Sequence, residues 1–202
     1  TTSPEAQRYF DQGLALIYGF NHDAAIRSFD YALRLDPTCA MCAWGKATAL
    51  GPNINLPLGP AAAEDAYAAG QQALALSAHA TPVERELIAA VAARYTRAYS
   101  ADRAALDLQY ANAMRVVRKN HPEDVDVAVL TAEALMNLYP WSYWTADAKP
   151  KEHTAELVAL LEWAMEREPT HIGANHYYIH AMEEHFPEKA EVRAGPARQE
   201  HA

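Results

Sequence analysis

The chain has 202 residues, half of them hydrophobic, and its 17 basic side chains against 26 acidic ones give a formal charge of −9. That length suits one domain with ample material for a core. The negative balance, with no Lys/Arg stripe to override it, excludes nucleic acid as a partner. The most apolar stretch, 61–80, is interrupted by Glu64, Asp65, Gln71 and Gln72, well short of the roughly 20 apolar residues that cross a bilayer, so no membrane span is expected.

Alanine is abundant, glycine numbers only 8, and β-branched residues are sparse, so local propensity favours helix nearly everywhere. The opening segment Thr1-Thr2-Ser3-Pro4-Glu5 is polar and precedes a first helix at about 5–18. It suits a processed export product or a trimmed chain, so a periplasmic or secreted location is expected, with the cytoplasm as the alternative. Asn21 before His22-Asp23 starts a second helix at about 22–35, closed by Asp36-Pro37. Further helices are expected at about 39–50, 60–77, 82–99, 102–119, 125–138, 151–167 and 171–185. Thr81-Pro82-Val83-Glu84 reads as a capping box with proline at the first helical position, and Asp124 caps the helix that begins at Val125. The polar segment 191–202 reads as a tail outside a single domain over 1–190.

An internal repeat organises these helices. With Ala6 as position 1, Gly13 falls at 8, Leu16 at 11, Ala25 at 20, Phe29 at 24, Ala32 at 27 and Pro37 at 32. Small Gly13 and Ala25 let the two helices of the unit cross closely, Phe29 and Ala32 face the next unit, and Pro37 ends the second helix. The closing Asp36-Pro37-Thr38 recurs in outline as His121-Pro122 and Glu168-Pro169-Thr170. The pattern resembles the tetratricopeptide repeat (TPR). Gly19-Phe20-Asn21-His22-Asp23, Trp44-Gly45, the Cys-x-x-Cys at 39–42 and Asn175-His176-Tyr177-Tyr178-Ile179-His180 resemble bacterial, often exported, TPR proteins. The resemblance implies an all-α, right-handed superhelical solenoid of antiparallel helix pairs, about four and a half repeats long. It also implies that the first helix of each pair lines a concave groove that holds a partner. The positions at which some TPR proteins carry a basic clamp for acidic chaperone tails hold Phe10, Leu14, Trp44 and Thr48 here, which argues against that role.

Projected onto the groove, His176 and His180 share one helical face at i, i+4 spacing, and Glu133 comes from the neighbouring first helix. Two imidazoles and a carboxylate suit Zn, Cu or Fe and leave positions open for water or substrate. The alternative is that the histidines are hydrogen-bonded groove residues bordered by Tyr177, Tyr178 and Glu183. Cys39 and Cys42 lie at a helix start, where amide donors lower a thiol pKa, so they are a candidate redox or soft-metal pair, a local disulfide, or packed core. Two inserted loops, 51–60 and 139–150, come after first helices and so project from one rim. Trp141, Tyr143 and Trp144 of the second are hot-spot residue types for a partner, unless they plug the gap the insertion opens. Trp44 and Arg85 complete the expected contact set. No nucleophile–base–orienter set, phosphate loop or zinc-protease motif is present, so no catalytic residue is assigned; enzymatic activity is the less expected outcome and stays open only as catalysis at the two-His-one-carboxylate metal site. Three functions remain: a scaffold holding a protein or peptide, a metal-binding protein, and a structural subunit. The last would be a homo-oligomer or part of a larger complex, docking through a fifth unit that lacks its second helix.

Overall fold

The computed structural model describes residues 1–199, with 194–199 described by their backbone only. Ten α-helices succeed one another and no strand occurs among the described residues. They are α1 (Pro4–Tyr18), α2 (His22–Leu35), α3 (Ala40–Leu50), α4 (Pro60–Leu76), α5 (Pro82–Ala93), α6 (Ala104–Asn120), α7 (Val125–Met136), α8 (Thr154–Arg167), α9 (Ile172–Met182) and α10 (Pro187–Gln199). The caps explain the starts: Ser3 accepts from the Ala6 amide, Thr81 and Glu84 form a reciprocal box, and Asp124 accepts from the Val127 amide. Each satisfies a donor that the first turn of a helix leaves orphaned.

Three boundaries depart from expectation. Helix α5 ends at Ala93 rather than near 99, with Arg94 as its C-cap and the Arg94 side chain buried. Helix α8 begins at Thr154 rather than 151. The Lys151 amide instead donates to the Tyr143 carbonyl, and His153 takes up the left-handed conformation with φ 69°. The segment expected as a polar tail is helical as far as Gln199, while 200–202 lie outside the described residues. Helix α10 packs on α9, where the sequence pattern leaves the fifth unit without a second helix.

The chain divides into two compact units, Thr1–Ala113 and a second from Met114 onward, where one domain was expected over 1–190; the division falls within α6. In the first unit consecutive helices from α1 to α5 pack on one another, and α1 also meets α3 as α3 meets α5. Phe29 is the pivot. Its fully buried ring lies so close to Gly13 of α1 and Gly45 of α3 that a Cβ at either would collide with it. Ile17, Ala25 and Ala49 complete that core, with Phe10 tilted on Phe29 at 5.8 Å. Beside it, Cys39 and Cys42 form a disulfide packed with Ala32, Tyr9, Phe10 and Leu33.

In the second unit α7 is buried at every position from Val127 to Met136, with only its first turn reaching the surface. A helix apolar on every face sits inside its domain, and α7 accordingly packs against both α8 and α9. His171 joins two of these elements. Its Nδ1 accepts from the Ala174 amide as the N-cap of α9, which leaves the proton on Nε2, 3.1 Å from Asp126 in the first turn of α7.

Candidate functional site

The residues expected to meet a partner separate by burial. Trp44 and Tyr143 are only 3% exposed and Glu133 6%, so in the chain by itself they are interior side chains. Trp44 lies on α3, which is buried over most of its length. Glu133 accepts a hydrogen bond from Asn137 one turn later in the chain. Tyr143 is buried enough that its phenol is pushed well above the ordinary tyrosine range, chiefly by desolvation. Arg85 is exposed and donates to the Ala80 carbonyl just before its own helix.

The aromatic loop between α7 and α8 is tied down at several points. The Tyr143 carbonyl accepts from the Lys151 amide and, at 2.6 Å, from the Thr154 hydroxyl. The Trp144 indole N–H donates to the Ala181 carbonyl of α9 at 2.6 Å, and its ring meets Phe186 edge-on at 4.8 Å. Trp141 is the exception. It is 45% exposed, and its backbone sits at φ 59°, a region that costs a bulky residue free energy. Its ring stands edge-on to His180 with centroids 5.2 Å apart. One aromatic of the three therefore faces solvent, on a loop whose other two anchor it.

His180 is held from a second side. Its Nδ1 lies 2.8 Å from the Glu183 carboxylate, and its Nε2 lies 3.0 Å from Nε2 of His176. Because a carboxylate only accepts, Nδ1 of His180 carries the proton. In the neutral pair its Nε2 lone pair then accepts from His176 Nε2–H. The i, i+4 face read from the sequence thus becomes a direct imidazole contact. The structure gathers no group of three His, Cys, Asp or Glu side chains able to hold a metal ion among the described residues. Glu133, expected as the third ligand, accepts from the Asn137 side chain through one carboxylate oxygen. Glu183, three residues after His180, is a carboxylate that meets it, at a spacing helical geometry makes adjacent.

Cys39 and Cys42 are joined as a disulfide, and among the described residues no cysteine is free, so the thiolates a soft metal would need are absent in this state. Cys39 caps α3, its Sγ accepting from the Cys42 amide at 3.1 Å.

The first inserted loop is drawn inward at its two ends, while Asn55, Leu56 and Pro57 between them are exposed. Asn53, Ile54 and Leu58 are buried, and the guanidinium of Arg94 donates to the Pro52 carbonyl at 2.8 Å. Arg94 also lies over the Tyr110 ring at 4.4 Å, and its Nε is 3.9 Å from an Asp107 carboxylate oxygen. Nothing in the local sequence around Arg94 marks it as interior. His22 is a helix-start residue as expected, and its Nδ1 also reaches the Ala49 carbonyl of α3 at 3.1 Å.

Compared with known proteins, the chain shows no significant match to a family model, a curated protein or a solved structure.

Proposed function

We propose that the chain is a TPR-type helical-repeat module whose work is to hold a protein or peptide segment, with Trp141 as the principal contact in the second unit. The observation that carries this reading is the exposed Trp141 on an anchored loop. Tryptophan is the residue type most enriched among binding hot spots, and a side chain already fixed before binding loses little entropy when a partner arrives. Residues held in sparsely populated backbone regions cluster at functional sites for the same reason. The repeat reading is supported by the pairing of consecutive helices, by the contacts of α1 with α3, α3 with α5 and α7 with α9, and by the Gly13–Phe29–Gly45 interlock at repeat-like spacing.

An exported location is part of the proposal. Its support is the Cys39–Cys42 disulfide, since such bonds persist in oxidising compartments and are rare in the cytosol.

The test is a peptide-library selection with the intact chain, then affinity measurement with Trp141→Ala and Trp141→Gly. Both variants should bind the selected peptides at least about tenfold more weakly, the loss of roughly 1.4 kcal/mol or more that a hot-spot aromatic carries. The glycine variant should fold at least as well as the parent, because glycine adopts positive φ without strain. Peptides that bind the parent and both variants equally would refute the assignment of Trp141.

A further inference from the structure

The disulfide of the first unit has two unlike ends. Cys39 is the N-cap of α3 and lines a cleft of about 350 Å³, whereas Cys42 does not line it and is fully buried. Thr38, Met41, Leu76 and His79 form part of the cleft wall. The bridge joins residues with a sequence separation of only 3 at the start of one helix, so it fastens no distant segments together. The seating of α2 against α3 has a core of its own in Phe29, Ala25 and Ala49. One sulfur is thus placed beside a cleft and the other is shielded behind it.

The same asymmetry prepares the reduced pair for exchange. Cys39 Sγ accepts from the Cys42 amide at 3.1 Å, directly at the start of α3. A hydrogen bond to an ionised acceptor is roughly twice as strong as one to a neutral acceptor, and a helix start favours negative charge, so both hold Cys39 as a thiolate once the bridge opens. Cys42 has the opposite preference, because it is buried in a cluster with Ala32, Tyr9, Phe10 and Leu33 and apolar surroundings favour the neutral thiol. Asp36 and Glu84 also line the cleft. Asp36 accepts from the Thr1 and Thr38 hydroxyls and Glu84 from the Thr81 amide, and their negative charges select against an anionic thiol.

We infer that Cys39–Cys42 is a two-electron thiol–disulfide exchange centre for an uncharged or cationic dithiol, with Cys39 as the exchanging sulfur and Cys42 as the resolving one. A thiolate of the dithiol attacks Cys39 Sγ, the Cys39–Cys42 bond breaks, and its electron pair leaves with Cys42. Cys42 takes up the proton of the donor's second thiol. That second sulfur, now a thiolate, attacks the donor sulfur of the mixed disulfide, and Cys39 departs as the capped thiolate; a thiolate so stabilised is the better leaving group. The donor ends as a disulfide and the chain holds one thiolate and one thiol, so electrons, protons and charge balance. Run in reverse, Cys39 attacks a disulfide and Cys42 resolves the mixed species. This activity goes beyond the holding of a partner and does not depend on any peptide binding at Trp141.

The experiment equilibrates the full chain, without denaturant, in mixtures of dithiothreitol and its oxidised form. Thiols are trapped by alkylation and read by intact mass, with circular dichroism recorded on the same samples. The expected result is a reversible gain of two alkylated cysteines in a chain that keeps its helical signal. Cys42→Ser and Cys39→Ser then separate the two sulfurs. At pH 7, where an unassisted thiol is mostly protonated, Cys39 in the first variant should react with iodoacetamide at least about tenfold faster than Cys42 in the second. Glutathione, an anionic thiol, should open the bridge more slowly than 2-mercaptoethanol at equal thiolate concentration, and raised salt should narrow the difference. Reduction that requires an unfolding concentration of denaturant would overturn the inference, as would equal alkylation rates in the two folded variants. Glutathione as fast as 2-mercaptoethanol at low salt would overturn the preference for an uncharged or cationic donor. Should a serine variant fail to fold, limited iodoacetamide labelling of the reduced parent, mapped by peptide mass, replaces it. A first label on Cys39 supports the site, and a first label on Cys42 or on both alike refutes it.

Discussion

Gly45→Ala tests the packing around Phe29 by its sign. An alanine in the middle of a helix is worth about 1 kcal/mol over glycine when nothing is in its way. Here the new Cβ would lie 2.8 Å from Phe29 Cδ1 and closer still to Cε1 and Cζ. The ring cannot retreat, because a Cβ at Gly13 on α1 would stand only 2.6 Å from its Cζ, so that side is occupied as well. Overpacking of this kind costs about 1–3 kcal/mol, and a ring confined from both sides belongs at the upper end. The net expectation is a loss of about 1–2 kcal/mol, a fall in melting temperature of roughly 2–8 °C per kcal/mol for chains of this size range. Gly70→Ala in α4 is the control. Its Cβ would find Ala92 Cα at 3.4 Å, an ordinary contact, so it should stabilise by about 0.5–1 kcal/mol. Urea and thermal unfolding monitored by helical circular dichroism give both numbers. Adding Phe29→Leu to Gly45→Ala should cost less than the sum of the two changes, since the smaller side chain relieves the clash. A Gly45→Ala protein as stable as the parent would refute the close approach of α2 and α3.

Acid should weaken the first unit through His22. Burial, aided by the Arg94 charge, holds its pKa below the ordinary histidine value of 6.5, against the pull of its bond to the Ala49 carbonyl. The unfolded chain therefore takes up the proton first, so stability falls as pH drops through about 6.5 and levels off below the folded pKa. The urea midpoint measured from pH 8 to pH 5 should show this slope, and His22→Gln should flatten it; an unchanged slope in that variant would place the acid sensitivity elsewhere. Reduction of Cys39–Cys42, which closes a loop with a sequence separation of only 3, should cost about 2 kcal/mol on a chain-entropy basis. A melt with and without a dithiol reductant measures it. The Cys39→Ser, Cys42→Ser double variant should be indifferent to reductant, and a parent melt equally indifferent would show that the bridge contributes nothing.

The helical class, the starts of most helices and the shared face of His176 and His180 were legible because each is a local property. Ser3, Thr81 and Asp124 each cap a helix whose first turn is the next few residues of the chain, and i, i+4 residues meet on any helix. Helix α10 was not legible, because a run such as Glu188, Lys189, Glu191 and Arg193 carries too few apolar residues to show a helical period. Nor was the burial of Arg94 at the end of α5, since the Pro52 carbonyl it reaches lies 42 residues back.

The site divides along the same line. Sequence alone determined that an aromatic loop and a histidine pair exist and how the two histidines are spaced. Only the tertiary structure decided that Tyr143 turns inward, that Trp144 is tied to Ala181 while Trp141 stands edge-on to His180, and that Glu183 meets His180. Helical periodicity is set by a backbone that repeats about every 3.6 residues and can be read residue by residue. Burial and hydrogen-bond partners depend on which distant segment arrives to cover a side chain, and that information is distributed over the whole unit.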